Sequence, residues 1–144
     1  METDKAHRVA MSYGNQKAMV LIGATLVEIG DGTATIELPV RPDLTQQHGF
    51  VHAGIVTMIV DTACGYAAYS TMSPESAVLT VEFKVNFISP AKGELLIARG
   101  RVLKPGRTLT VCQGDVYAVI SGEEKLVATM LATMIAREGT GLIG

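Results

Sequence analysis

The sequence is poor in the features that mark several large classes of protein. Among 144 residues only two are cysteines, none is tryptophan and 5% are aromatic. Cys64 and Cys112 lie far apart and outside any CxxC pair, so they indicate neither a disulfide framework nor a zinc cage. No apolar run approaches the roughly 18 to 20 residues that span a bilayer. The acidic start, Met-Glu-Thr-Asp, is followed by no signal-peptide core, which predicts a cytoplasmic protein without a membrane segment.

Basic charge is also scarce over the chain as a whole. Twelve Lys and Arg against fourteen Asp and Glu give a formal charge of −2, which argues against a nucleic-acid partner. Residues 91–111 are the exception, because this segment holds five basic side chains and a single acid: Lys92, Arg99, Arg101, Lys104 and Arg107 against Glu94. Such a segment favours a partner with anionic groups.

Length and apolar periodicity predict one α+β domain over residues 1–144. The predicted order is a peripheral helix within residues 1–20, two strands, one long helix, His52–Ser70, four more strands and a loose tail over 137–144. The predicted strands cover 24–29, 33–38, 78–87, 93–104, 108–120 and 125–136. Without alternating β and α units, this inventory predicts an antiparallel sheet wrapped around one enclosed helix, and a sheet with so little cover favours self-association.

A carboxylate interrupts the apolar sequence of the long helix. Asp61 is the only charged side chain there after His52. Burying an unpaired carboxylate costs roughly several kcal/mol, so a buried one is expected to have a functional role or a partner. Three interpretations remain open: Asp61 is catalytic, it faces solvent, or it pairs with a strand residue such as Lys84. Cys64 follows it in the same helix, but no base lies within helical reach of that thiol.

The start of the long helix offers a second feature. The segment Gln46 to Gly54 ends in His52-Ala53-Gly54, and first-turn N–H groups have no acceptor within a helix. With the helix dipole, the Ala53 and Gly54 amides can therefore donate to an oxyanion. The alternative is an ordinary helix entry, in which Gly49 supplies a turn and His52 is a capping or packing residue.

The spacing between these two features has a geometric consequence. Asp61 follows His52 by nine residues. That spacing corresponds to about 900° of rotation and roughly 13 Å of rise, so one helix cannot bring both features to one carbon atom. If they serve one reaction, each meets the other's copy at a two-fold dimer interface, and the site occurs twice.

These residues resemble the hotdog-fold acyl-CoA thioesterases of the PaaI-like, phenylacetate-pathway type. The family signature is an amide residue, a glycine, His-Gly-Gly, and an acid nine positions after the histidine. The matching positions here are Gln46, Gly49, His52-Ala53-Gly54 and Asp61, and the resemblance extends over residues 21–136 through TVEFKVNFISP and VLKPGRT. It implies a hotdog fold, an antiparallel sheet around one long central helix, and hydrolysis of an acyl-CoA to free acid and CoA.

The resemblance also implies a role for each matching position. Asp61 would act as nucleophile or general base, and its ordinary pKa would leave it ionised at neutral pH. The Ala53 N–H would polarise the thioester oxygen, which requires a negative φ because alanine replaces the family's middle glycine. Gln46 would lie near the thioester or water, and Thr80 would orient the water. His52 would shape the helix start more than carry protons.

Further implications concern coenzyme A and assembly. Arg107, with Gly106 and less directly Lys104, would meet the nucleotide end of CoA, which enters as substrate; no metal or separate cofactor is implied. Homodimers with shared active sites would join as a homotetramer. The alternatives are a hydratase or dehydratase of the same fold, which favours a histidine base, and a non-catalytic acyl-CoA-binding module. Met58, Tyr66, Tyr69 and Phe83 are pocket candidates for an aryl or short to medium acyl chain.

Overall fold

A computed structural model describes residues 2–142 and 144 of the chain. Its helices are α1 (Thr3–Gly14), α2 (Lys17–Ile22) and α3 (Ala53–Tyr69), with a short 3-10 turn at Pro42–Leu44. Its strands are β1 (Thr25–Gly30), β2 (Thr33–Pro39), β3 (Ala77–Phe87), β4 (Leu95–Lys104), β5 (Leu109–Ile120) and β6 (Glu123–Arg137). No helix in this described part is long and apolar enough to cross a membrane.

The six strands form one antiparallel sheet in the order β1-β2-β4-β5-β6-β3, and α3 packs on one face of it. The predicted antiparallel sheet around one long helix is confirmed. The helix meets the sheet at Gly100 and Gly114, which are direct partners across β4 and β5. A Cβ on Gly100 would lie 2.6 Å from the Ala63 backbone. These glycines therefore let the backbone of α3 approach the sheet more closely than any side chain would permit.

The core follows rows of paired residues across the sheet. One row runs through all six strands: Leu26, Ile36, Ala98, Val116, Ala128 and Phe87. Ile36, Ala98 and Val116 are fully buried, whereas Phe87 at the β3 end is 50% exposed. The core therefore thins towards the edge strand β3, although Phe87 is on the face that carries α3.

The amino-terminal helical region differs from the prediction of a single peripheral helix. It is divided between Gly14, the last residue of α1, and Gln16, the N-cap of α2. Val9 and Met19 are fully buried, so both helices contribute to the core. Composition predicted a weak helix, but the burial of its two apolar anchors depends on contacts with distant parts of the chain.

Candidate active site

Asp61 lies on a side of α3 that the sheet covers only in part, so its side chain is partly exposed. Its Oδ1 accepts a hydrogen bond from Thr80 Oγ1 at 2.8 Å. The alternative pairing with Lys84 is wrong, because Lys84 Nζ donates to Asn86 Oδ1 at 2.9 Å. Within residues 2–142 and 144, Asp61 takes part in none of the ion pairs. The carboxyl is thus half-buried with a single hydrogen-bond donor and no counter-charge.

The surroundings of Asp61 change its proton affinity. Burial raises the pKa of this carboxyl above its ordinary value, and the hydrogen bond from Thr80 lowers it by a smaller amount. The expected ordinary pKa is therefore replaced by a raised one. A carboxylate with a raised pKa is a stronger base, which suits abstraction of a proton from water.

A β-bulge positions Thr80. Strict alternation along β3 predicts that Thr80 and Phe83 face opposite sides of the sheet. The pairing register shifts between Thr80 and Glu82, so Val81 is an extra residue in β3. Thr80 and Phe83 then pair with Met134 and Ala132, which are two apart on β6 and share its buried face. The bulge turns the Thr80 hydroxyl towards α3, a feature that the sequence alone did not reveal.

The start of α3 contains the predicted oxyanion donors, the backbone amides of Ala53 and Gly54. His52 is the N-cap, and its Nδ1 accepts from the Gly54 N–H at 2.8 Å. A Cβ on Gly54 would lie 3.0 Å from that nitrogen, so the glycine leaves room for the imidazole ring. The prediction that both amides are free donors is therefore wrong for Gly54. The Ala53 N–H, in contrast, has no acceptor in the described part of the chain.

The backbone of Ala53 also meets its predicted condition. Within the described residues, Ser121 is the only non-glycine residue with a positive φ. Alanine at position 53 is therefore unstrained and keeps the N–H that the glycine of the family signature would supply.

Gln46 approaches the same helix end through a tight loop. Its side-chain Oε1 accepts from the backbone N–H groups of His48 and Phe50, and Gly49 completes the turn with a φ of +86°. These two bonds fix the carboxamide, and its Nε2 has no acceptor among residues 2–142 and 144. Gln46 and Ala53 line one cavity.

Two separate cavities divide the predicted site residues within one chain. The Asp61 cavity, about 400 Å³, is lined by Asp61 and Thr80 together with residues that include Ser12, Gln16, Gly65, Tyr66 and Leu142. The Ala53 cavity, about 380 Å³, is lined by Gln46 and Ala53 together with residues that include Phe50, Val56, Phe87, Ser89 and Ala91. The structure thus brings Asp61 to Thr80 and Ala53 to Gln46, but it does not bring these two pairs together.

The pocket candidates had mixed outcomes. Tyr66 lines the Asp61 cavity, whereas Met58, Tyr69 and Phe83 line neither cavity. Sequence reasoning missed Ser12 and Gln16, which α1 and the N-cap of α2 bring to the Asp61 cavity. The sequence signal for this side of the cavity was the pair of polar residues after Gly14, Asn15 and Gln16.

The predicted coenzyme-contact residues lie at the end of β4, where Lys104 is the last residue, and in the turn to β5, which holds Gly106 and Arg107. Lys104, Gly106 and Arg107 are exposed, and in the described part of the chain neither cation forms an ion pair. The Gly106 N–H donates to Thr110 Oγ1 at 3.4 Å. Thr110, Met134 and Thr80 occupy one row across β5, β6 and β3. The basic turn is therefore at the same end of the sheet as Thr80.

The two cysteines do not contribute a nucleophile. Both are fully buried, and Cys112 Sγ donates to the Cys64 carbonyl oxygen at 3.6 Å. Burial raises the pKa of Cys112 to about 11, and the pKa of Cys64 is raised still further. Both thiols are protonated at neutral pH, so they act as core side chains.

Comparison with known proteins shows the family to which the chain belongs. The thioesterase superfamily model matches residues 48–124. Human acyl-coenzyme A thioesterase 13 is 31% identical over 120 residues, 83% of this chain and 84% of its own. A thioesterase family protein from Silicibacter pomeroyi superposes with a TM-score of 0.92 at 50% identity, over 94% of this chain and 99% of that one.

A second solved structure supports the fold alone. The Escherichia coli PaaI protein of the phenylacetic acid degradation operon has a TM-score of 0.83 at 21% identity, over 94% of this chain and 95% of that one. The molecule has the hotdog fold. It belongs to the thioesterase superfamily, as the resemblance implied, and thioester hydrolysis is the chemistry of that class.

Proposed function

We propose that the chain hydrolyses acyl-CoA thioesters to a free acid and coenzyme A. The observation that carries the proposal is the half-buried Asp61 carboxylate, which has no counter-charge and accepts one hydrogen bond from Thr80. As a base, it takes a proton from the water that attacks the thioester carbonyl. As a nucleophile, it forms a mixed anhydride that water then opens. In both routes the carbon–sulfur bond breaks and CoA leaves as the thiolate.

The oxyanion donor comes from a second protomer. The free Ala53 N–H at the positive end of the α3 dipole suits the developing charge on the thioester oxygen, and Gln46 Nε2 is available beside it. Within one chain these groups line a different cavity from Asp61. A two-fold dimer joins the Asp61 cavity of each protomer to the Ala53 cavity of its partner.

The edge strand β3 is the surface that supports this dimer. It has 11 residues, and no strand in the described part of the chain pairs with its outer side. Leu79, Val81 and Phe83 on it are 49%, 53% and 41% exposed. A long edge strand with exposed apolar side chains can pair with another strand, and a second β3 related by a two-fold axis would supply it. Two such dimers form the proposed homotetramer.

The phosphates of CoA would meet the basic turn. Arg107 and Lys104 are exposed cations that form no ion pair in the described part of the chain, and they lie at the Thr80 end of the sheet. Charge-assisted contacts with phosphate oxygens suit such side chains, and the Arg fork suits them most.

Substitution of Asp61 tests the proposal. We expect Asp61→Asn and Asp61→Ala to lower kcat/KM for acyl-CoAs by about 1000-fold or more, because both remove the base or nucleophile. Release of the CoA thiol from aryl, short and medium acyl-CoAs is the measurement. A carboxyl with a raised pKa binds its proton more tightly in the folded state than in the unfolded state. Protonated Asp61 therefore stabilises the fold, and this stabilisation is lost as pH rises through the raised pKa. Asp61→Asn should therefore melt no lower than the wild type at pH 7, which excludes misfolding.

Substitution of His52 separates the remaining chemistries. The ring caps α3 through Nδ1, so His52→Ala should reduce stability by about 1 kcal/mol and leave most of the activity. Loss of activity in His52→Ala, with activity retained in Asp61→Asn, would support a hydratase or dehydratase instead. Tight acyl-CoA binding without thiol release would support a binding module.

A further inference from the structure

Within the described part of one chain, no contact requires a glycine at position 65. It lies inside α3, where glycine is among the least favourable residues. Its φ is not positive, since the positive-φ glycines are Gly23, Gly32, Gly49, Gly93, Gly122, Gly139 and Gly141. A Cβ on Gly65 would meet no atom of residues 2–142 and 144 within 4 Å, in contrast to Gly100, where the same atom would collide with the backbone of α3. Neither strain nor close packing therefore explains the residue.

The space left by Gly65 belongs to the Asp61 cavity. Gly65 lines this cavity with Asp61, four residues before it in the helix. Side chains at that spacing are neighbours about 5 to 6 Å apart on one helix face. The missing side chain therefore enlarges the cavity beside the carboxylate, within a few bonds of where the thioester carbonyl would lie.

The neighbouring wall cannot move to fill that space. The Tyr66 hydroxyl is held by Ser12 Oγ at 3.0 Å and by Gln16 Nε2 at 3.3 Å. Its ring also packs edge-on against Tyr13 and Tyr69. Because these contacts fix the ring, Tyr66 does not fill the space at Gly65.

We propose that Gly65 is a specificity-determining residue that admits acyl groups branched or cyclic close to the thioester carbonyl. The inference rests on the proposed hydrolysis at Asp61 and deepens it. A linear chain can pass a methyl group at position 65, whereas a ring or branch at the second or third acyl carbon needs the volume that the methyl group would occupy.

The test compares Gly65→Ala and Gly65→Val with the wild type on two pairs of substrates. Cyclohexanecarbonyl-CoA and benzoyl-CoA carry a ring next to the carbonyl, whereas butyryl-CoA and hexanoyl-CoA are linear. We expect kcat/KM for the ring-bearing pair to fall at least tenfold in Gly65→Ala and further in Gly65→Val. For the linear pair it should change less than threefold in Gly65→Ala. The melting temperature of Gly65→Ala should rise by about 3 °C, because alanine favours the helix.

Gly14→Ala is the matched control, since Gly14 is also helical, also has open space at Cβ and does not line the cavity. It should leave the ratio of the two substrate pairs unchanged. An unchanged ratio in both Gly65 variants would overturn the inference while leaving the proposed function intact. A changed oligomeric state of Gly65→Ala in light scattering would also overturn it, because a second copy would then fill the space. A wild type inactive on all four substrates would overturn both proposals.

Discussion

At the scale of single residues, the hydrogen bond between Thr80 and Asp61 controls the carboxyl on which the proposed chemistry depends. Two effects act on it in opposite directions: burial raises its pKa and the Thr80 hydroxyl lowers it. A hydrogen bond to the charged form holds the carboxylate ionised at lower pH than burial alone would allow. Thr80 is therefore a positioning residue whose effect can be separated from simple packing.

Thr80→Ala should move the acid limb of the pH profile of kcat/KM to higher pH. Loss of the 2.8 Å bond removes the influence that lowers the pKa of Asp61, so less of the enzyme is ionised at a given acidic pH. At neutral pH we expect kcat to fall by about tenfold, because the carboxylate also loses its orientation. The measurement is kcat/KM from pH 4 to pH 9.

Thr80→Ser keeps the hydroxyl and removes only a methyl group, so it should restore the wild-type limb. A merely structural role for Thr80 would lower activity by the same factor at every pH and leave the limb in place.

At the scale of elements, the glycine pair of β4 and β5, Gly100 and Gly114, sets the distance between α3 and the sheet. A Cβ on Gly100 would lie 2.6 Å from the Ala63 carbonyl group and 2.7 Å from Cys64 N, which are backbone atoms, so only a shift of the helix relieves the clash. Gly100→Ala should therefore lower the free energy of unfolding by about 3 kcal/mol and displace α3 from the sheet. Urea unfolding gives the stability, and a loss below about 0.5 kcal/mol would contradict this account of the packing.

The activity of Gly100→Ala follows from the same displacement. Asp61 is on α3 and Thr80 is on β3, so lifting the helix lengthens the bond between them. We expect kcat to fall with stability in this variant, whereas Gly14→Ala, where a Cβ meets no atom of the described residues within 4 Å, should lower neither.

The sequence predicted these elements well where one period of apolar residues governs a whole segment. The bounds of α3 and of the strands β2 and β5 agree with prediction to within one residue, because alternation and helical spacing depend on local neighbours. The bulge at Val81 was missed, since an extra residue changes the phase of β3 through pairing with β6. The division of α1 from α2 was missed for a similar reason, as their buried anchors contact distant elements.

The same distinction applies to the site. Asp61, Ala53, Gln46 and Thr80 could be named from spacing and family resemblance, and each lines one of the two cavities. The capture of the Gly54 N–H by His52 could not, because it depends on a side-chain orientation. Ser12 and Gln16 reach the Asp61 cavity across more than 40 residues of chain, to Tyr66 and Thr62, and no local pattern encodes such contacts.

At the scale of the whole molecule, the proposed site requires Asp61 from one protomer and Ala53 from its partner. Two inactive variants can test this sharing. Asp61→Asn removes the carboxylate, and Ala53→Pro removes only the oxyanion donor. Proline is tolerated at the first position of a helix, and the preceding His52, with φ −57° and ψ 136°, already has the extended backbone that a following proline requires.

Co-expression of the two variants should restore activity that neither has alone. In a mixed dimer one site carries both changes and the other carries neither, because each site takes its two groups from different chains. Random assembly makes about half of the dimers mixed, each with one intact site, so the expected kcat is about one quarter of the wild-type value. Purification through two different tags should raise it to about one half if the dimers are separate, and to about two sevenths if two dimers join as the proposed homotetramer. If Asp61 and Ala53 of the same chain formed the site, mixed dimers would stay inactive at every ratio of the two variants, and the shared cleft would have to be abandoned.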